Sequence, residues 1–146
     1  MMKSTLNTVS ATILVAALAA CATTGGPSDE EILLAAGATR LSGAEVEARL
    51  TGKTEEWLRG GAFYRDDGSI RVKWRKVYSN GSWEVSSDGV LCYQVPHWDR
   101  RCHFYMDRDG EILLLDEGRN TGARRLFDGD KLSTIGSFNT GDDRRR

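Results

Sequence analysis

The sequence predicts a mainly β fold, a small antiparallel up-and-down barrel or sandwich of about eight strands preceded by two short N-terminal helices. Three features predict it. Apolar and polar residues alternate over Ser69–Arg75, where Ile70, Val72 and Trp74 share one face and the basic residues the other. Turn dipeptides recur through the rest of the chain at Asp67-Gly68, Asn80-Gly81, Asp88-Gly89, Asp109-Gly110, Glu117-Gly118 and Asp128-Gly129, each able to supply the positive φ of a tight hairpin. Before Thr54, by contrast, serines precede acids at helix-capping spacing.

Ser28 with Glu31 forms the first capping box; Ile32 to Ala36 follow and Gly37 stops the helix. Leu41, Ser42 and Glu45 repeat the device as staple, cap and box, with Val46 placed to meet Leu41, so the second helix runs from about Gly43 to Leu50. The expected strands lie near 54–58, 62–66, 69–76, 82–86, 90–95, 102–107, 111–116 and 123–127, with Lys131–Phe138 a candidate last strand. Two short helices cannot cover such a meander, so the sheet should curl on itself around Ile70, Val72, Trp74, Trp83, Val85, Phe104, Met106, Leu113, Leu115 and Leu126.

The length of 146 residues, with 40% hydrophobic and 28% charged, suits one globular domain, expected over 28–140 with a frayed tail over 141–146. A net charge of −1 offers nothing to recruit nucleic acid. Residues 1–20 read as an export signal: one charge at Lys3, then an apolar run from Ala11 to Ala20. As a helix that run would span roughly 15 Å, about half a hydrocarbon core, too short for a permanent transmembrane segment.

Leu18-Ala19-Ala20-Cys21 resembles the lipobox of bacterial lipoproteins. The resemblance implies acyl chains on Cys21, a lipidated tether over 21–27 and attachment to a membrane. Ala22, where that family's inner-membrane proteins carry aspartate, implies the periplasmic face of the outer membrane, with the inner membrane or a secreted periplasmic form as alternatives. Ordinary cleavage after Ala17-Leu18-Ala19 is the rival reading. The tether from Ala22 to Pro27 reaches at most about 20 Å, which would hold the domain close to the headgroups.

Cys92 and Cys102 remain, two cysteines in strand-like runs flanking the loop Pro96–Arg101, placed for a cross-strand disulfide in an oxidising compartment. Metal binding by Cys92, His97, Cys102 and His103 is the rival reading; it lacks the short paired spacing of zinc sites. The segment Thr51-Gly52-Lys53-Thr54, Asp67-Gly68, Gly81-Ser82-Trp83, Leu91-Cys92, Cys102 and Asp109-Gly110 resembles a family of small exported bacterial proteins of unknown function. That resemblance implies a β-rich domain and no catalytic residues.

Thr51-Gly52-Lys53-Thr54 ends a helix instead of starting one and so fails as a phosphate loop, and the Asp-Gly pairs lack the bidentate acid of a calcium loop. His97 or His103, with Asp99, is the only basis for histidine acid–base chemistry. The sequence therefore favours a non-catalytic binding or interaction protein without a cofactor. His97, Trp98, Arg100 and Arg101 are its candidate contact residues, because Trp and Arg dominate contact energies. An envelope protein or a small apolar ligand is the expected partner; inhibition of an envelope-degrading enzyme such as a lysozyme is the alternative.

Overall fold

The computed structural model of the chain describes residues 26–135. The export signal, the Leu18–Cys21 motif, most of the tether and the tail 141–146 lie outside the described residues. Two helices, α1 (Asp29–Ala35) and α2 (Gly43–Leu50), stand with ten strands: β1 (Thr39–Arg40), β2 (Lys53–Trp57), β3 (Gly60–Tyr64), β4 (Ser69–Trp74), β5 (Val77–Val85), β6 (Val90–Gln94), β7 (Arg101–Arg108), β8 (Glu111–Asp116), β9 (Arg119–Ala123) and β10 (Leu126–Asp128). Both helices begin on the expected boxes: Ser28 Oγ accepts from Glu31 N–H and Ser42 Oγ from Glu45 N–H, while each glutamate reaches back to its cap N–H.

All ten strands form one antiparallel sheet, a meander from β2 to β9 with β10 on the far side of β2 and β1 against β7, curled into a half-barrel. Its two ends share a stretch of chain. β9 pairs with β8; then Arg124 N–H donates to Ile112 O, Arg125 O accepts from Glu56 N–H, and β10 continues along β2. A sandwich of two sheets is not what forms, because every neighbouring pair belongs to the same continuous ladder.

Three expected strand positions are corrected. The strand expected near 123–127 is two, β9 and β10, with Arg124 and Arg125 between them because the chain there passes from β8 to β2. Lys131–Ile135 is a turn, and the rest of the candidate last strand lies outside the described residues. Asn80-Gly81 lies inside β5, whose hairpin with β4 turns instead at Arg75-Lys76. Gly81 is there for proximity: a Cβ would meet Gln94 O of the adjacent strand at 1.9 Å.

The curl creates an inner and an outer apolar surface. Inside are Leu41, Val46 and Leu50 from α2 and its lead-in, packed with Tyr64, Ile70, Val72, Trp83, Leu91 and Tyr105 from the strands. Outside, α1 lays Leu33 over Met106, Leu113 and Leu115, with Phe104 beside them. Met106, Leu113 and Leu115 are therefore buried, and Phe104 partly buried, but beneath α1 instead of within the curl. Val85 and Leu126 are only partly buried against the inner cluster. Trp74 is 39% exposed, because the strand carries it past the end of the curl although it shares a face with Ile70 and Val72.

α2 plugs one end of the half-barrel. Gly43 N–H donates to Ser87 O, Leu41 N–H to Tyr105 O, and Gly52 N–H to Tyr64 O. Gly89, at φ +84, lies so close beneath this lid that a Cβ would stand 2.0 Å from Leu41 O. The other end, where the chain turns at Leu58-Arg59, Arg75-Lys76, Pro96–Arg100 and Glu117-Gly118, is open.

Cys92 and Cys102 stand opposite each other across β6 and β7 and are joined by a disulfide. Closing that short ring restricts the unfolded chain by about 2–3 kcal/mol on the loop-entropy account. Urea unfolding of the Cys92→Ala/Cys102→Ala double variant should show a loss of about that size with the native circular dichroism retained; an unchanged midpoint would mean the bridge adds no stability.

Candidate functional site

The open end holds a cavity of about 640 Å³. Trp57 at the end of β2 stacks on Tyr93 at the end of β6, with ring centroids 5.9 Å apart, while Trp74 and Trp98 meet edge to face at 6.4 Å. These rings supply the walls. Arg101, Arg124, Asp99 and Asp116 contribute ionic groups of both signs, and His103 lines the cavity while only 7% exposed.

Behind His103 lies a buried polar network. Glu55 on β2 is fully buried; its Oε2 accepts from Tyr64 Oη at 2.7 Å and from Tyr105 Oη at 3.1 Å. Its Oε1 lies 3.4 Å from Arg124 Nε, an ion pair in which neither atom completes a hydrogen bond. Burial drives the Glu55 carboxyl above its ordinary value, against the opposing pull of the Tyr64 hydroxyl, Arg124 and Tyr105. The same burial, with Glu55 alongside, raises both tyrosines well above theirs.

His103 Nε2 lies 3.1 Å from Tyr105 Oη. Since Tyr105 spends its one proton on Glu55, its oxygen accepts from His103, which assigns the imidazole hydrogen to Nε2 and leaves Nδ1 unprotonated. Burial, followed by repulsion from Arg124, lowers His103 to about 4. The cavity floor is therefore a neutral imidazole joined through one hydroxyl to a sealed carboxyl.

The sequence-predicted loop divides at this site. His97, Trp98 and Arg101 line the cavity; Arg100 does not, because its guanidinium pairs with Glu84 on the outer side. The loop folds back over the mouth: Trp98 packs against the inner cluster and its carbonyl accepts from Gln94 Nε2 at 2.6 Å. His97 takes a positive φ of 67, the strained conformation that lets the loop reverse. His97 and His103 do not ligate a metal with the cysteines, which are joined to each other, and no group of three metal-ligating side chains occurs among the described residues. Asp107 and Asp67 act as turn formers, accepting from Gly110 N–H and Ser69 N–H.

Sequence reasoning reaches His103 but misses the polar network behind it. Glu55 and Tyr64 stand within strands, and Tyr105 and Arg124 were passed over; the available signal was an acid in an otherwise buried half of β2 with tyrosines at inward-facing parity. Trp57 was equally readable as a strand-end aromatic.

A half-barrel with one end plugged by a helix and an aromatic cavity at the other is the architecture that the fold and the site define. The chain belongs to a family described as "Protein of unknown function (DUF995)", whose profile matches residues 11–105. That span includes Glu55, the cavity tryptophans, both disulfide cysteines and the loop 96–101; Asp116 and Arg124 lie beyond it. No curated protein and no solved structure matches the chain.

A histidine neutral down to about pH 4 in the fold, against 6.5 in the unfolded chain, makes the unfolded state bind the extra proton between those values. Its contribution to stability is full above pH 6.5 and is lost as pH falls toward 4, at most about 3 kcal/mol. Urea unfolding of the native chain and His103→Gln at pH 7 and at pH 4.5 should show the native chain losing about 2 kcal/mol relative to the variant on acidification. An equal difference at both pH values would place His103 in contact with solvent.

Proposed function

We propose that this protein is a lipid-anchored, periplasm-facing binding protein of the bacterial envelope, without chemistry of its own, whose open mouth takes a small ligand with an apolar body and a polar end. The single observation that carries this reading is the cavity of about 640 Å³, walled by Trp57, Tyr93, Trp74 and Trp98 and floored by His103. Its size falls in the usual range for small-molecule sites, and its few polar groups converge on an aromatic enclosure. The rings would cover the apolar body, while Arg101, Asp99 and the Nδ1 of His103 offer hydrogen bonds of both polarities to the other end.

The anchor is supported by the Leu18–Cys21 motif and the apolar run before it. The alternative of an inhibitor that plugs a lysozyme cleft with Pro96–Arg101 is less well supported by the loop's shape. Trp98 turns inward and Arg100 is engaged with Glu84, which leaves little of the loop to project. A small apolar ligand agrees better with that inward turn.

Two measurements test this. Titration with anilinonaphthalene sulfonate, followed by energy transfer from tryptophan, should saturate at one probe per chain, and Trp57→Ala or Trp98→Ala should weaken it about tenfold. Equal affinity in both variants, or no saturation, would remove the cavity as a ligand site. Intact-mass measurement of the exported protein should give a mature N-terminus at Cys21 carrying acyl chains; a free amine and thiol there would dispose of the anchor.

A further inference from the structure

The turns at the two ends of the half-barrel are built from different chemistry. At the plugged end they are Asp67-Gly68, Asp88-Gly89 and Asp109-Gly110, the residues that tight turns favour on local grounds. At the open end, two neighbouring turns read Leu58-Arg59 and Arg75-Lys76, and Arg75 N–H donates to Arg59 O at 2.6 Å, which fixes them side by side. Arg75 holds φ at +57, a conformation that glycine would take without strain. Turn formation alone does not select arginine there.

Around these turns the surface combines cations with apolar groups. Arg59, Arg75 and Lys76 are exposed, and none of them joins an ion pair among the described residues. The flanking stretches from Trp57 to Arg65 and from Lys73 to Trp83 contain no acid. Beside the cations, Val77 is 67% exposed, Tyr78 42% and Trp74 39%, though all three belong to types that folding ordinarily shelters or half-shelters. Val77 stands directly opposite Trp74 in the ladder, so the two extend one face beyond the mouth. Across the opening, Asp99, Asp116 and Glu117 stand among Arg100, Arg101 and Arg119, so that side of the rim is of mixed charge and the acid-free basic lobe lies on the β2–β5 side.

We propose that this lobe docks on an anionic phospholipid bilayer, with Arg59, Arg75 and Lys76 at the phosphates and Trp74, Val77 and Tyr78 in the interfacial layer, so that the cavity mouth faces the lipid. Exposed Trp and Tyr settle at headgroup depth, and adjacent cations are drawn to anionic lipid. The contrast in local charge fits: the plugged-end turns carry aspartates, whereas Trp57–Arg65 and Lys73–Trp83, which form the lobe, carry no acid. The position of the chain's entry fits as well. α1 begins at the open end, where Asp29 Oδ2 accepts from Asn120 N–H at 2.7 Å, two residues past the Glu117-Gly118 turn. An acylated Cys21 would thus hold this same end within about 20 Å of the membrane, the one respect in which the docking rests on the reading above.

The test uses the full chain reconstituted in vesicles of phosphatidylcholine with or without phosphatidylglycerol, the lipids carrying brominated acyl chains that quench nearby tryptophan. Emission should be quenched in the anionic vesicles and several-fold less in phosphatidylcholine alone or in 1 M salt. Trp74→Phe should remove most of the lipid-dependent part. The triple variant Arg59→Gln/Arg75→Gly/Lys76→Gln should lose it too, each cation counting for roughly fivefold in association. Glycine at position 75 relaxes the turn, so this variant keeps its fold; Val77→Ser, which keeps every charge, should reduce quenching independently. Equal quenching in both vesicle types, or in the native chain and the triple variant, would overturn the docking. No cavity ligand enters the measurement, so its failure and a failure of the ligand reading are separable, and comparing lipid charge at constant anchoring separates it from the anchor.

Discussion

The carboxyl of Glu55 is the constraint around which the interior is arranged. A fully buried acid is costly unless its oxygens are satisfied, and this one draws partners from three other parts of the sheet: Tyr64 on β3, Tyr105 on β7 and Arg124 on the stretch between β9 and β10. Tyr64 is on the neighbouring strand, but Tyr105 lies four strands further along the sheet and reaches the carboxyl only because the sheet curls. The carboxyl thereby ties β2 to β7 across the interior and holds Arg124 where the chain passes from β8 to β2. Removing any partner would leave a buried polar group without its complement, which costs more than the lost bond is worth.

That arrangement also explains why the two ends of the molecule differ. Toward α2 the interior is filled with Val46, Leu50, Ile70 and Leu91, an apolar plug of buried side chains. Past Glu55 the filling turns polar and aromatic, through Tyr105 and His103 to the rings of Trp57 and Tyr93. The cavity begins where the apolar packing stops. His103 stands at the boundary, neutral because it is buried and oriented because Tyr105 has no second proton to give.

Much of the architecture was legible because local chemistry and global fold agree. Ser28 with Glu31 and Ser42 with Glu45 can do little but cap helices, and the Asp-Gly pairs at 67, 88 and 109 mark real turns. Legibility failed where a residue answers to a distant neighbour. Gly81 looked like a turn after Asn80, yet it is glycine because Gln94 O passes beside it. The unbroken run Ile112–Leu115 is buried on both faces, Ile112 and Leu114 within the curl and Leu113 and Leu115 beneath α1, whereas alternation would leave one side polar. Trp74 obeys the strand's parity but overruns its end, which periodicity cannot register.

The candidate site was half legible for the same reason. The loop Pro96–Arg101 stands out in one dimension because its composition is unusual for a connection, and three of its four flagged side chains do line the mouth. Arg100 differs through a partner, Glu84, that is its neighbour only once β5 and β6 have paired. The floor residues carry no motif at all. An acid on one strand and tyrosines on two others become a site only through the curl, and the curl is itself what makes burying that acid tolerable. Site and fold here are one requirement: a half-barrel with a wholly apolar interior would pack through to both ends, whereas one built around Glu55 needs tyrosines and an arginine inside, and those polar tips prepare the surface on which an open mouth can rest.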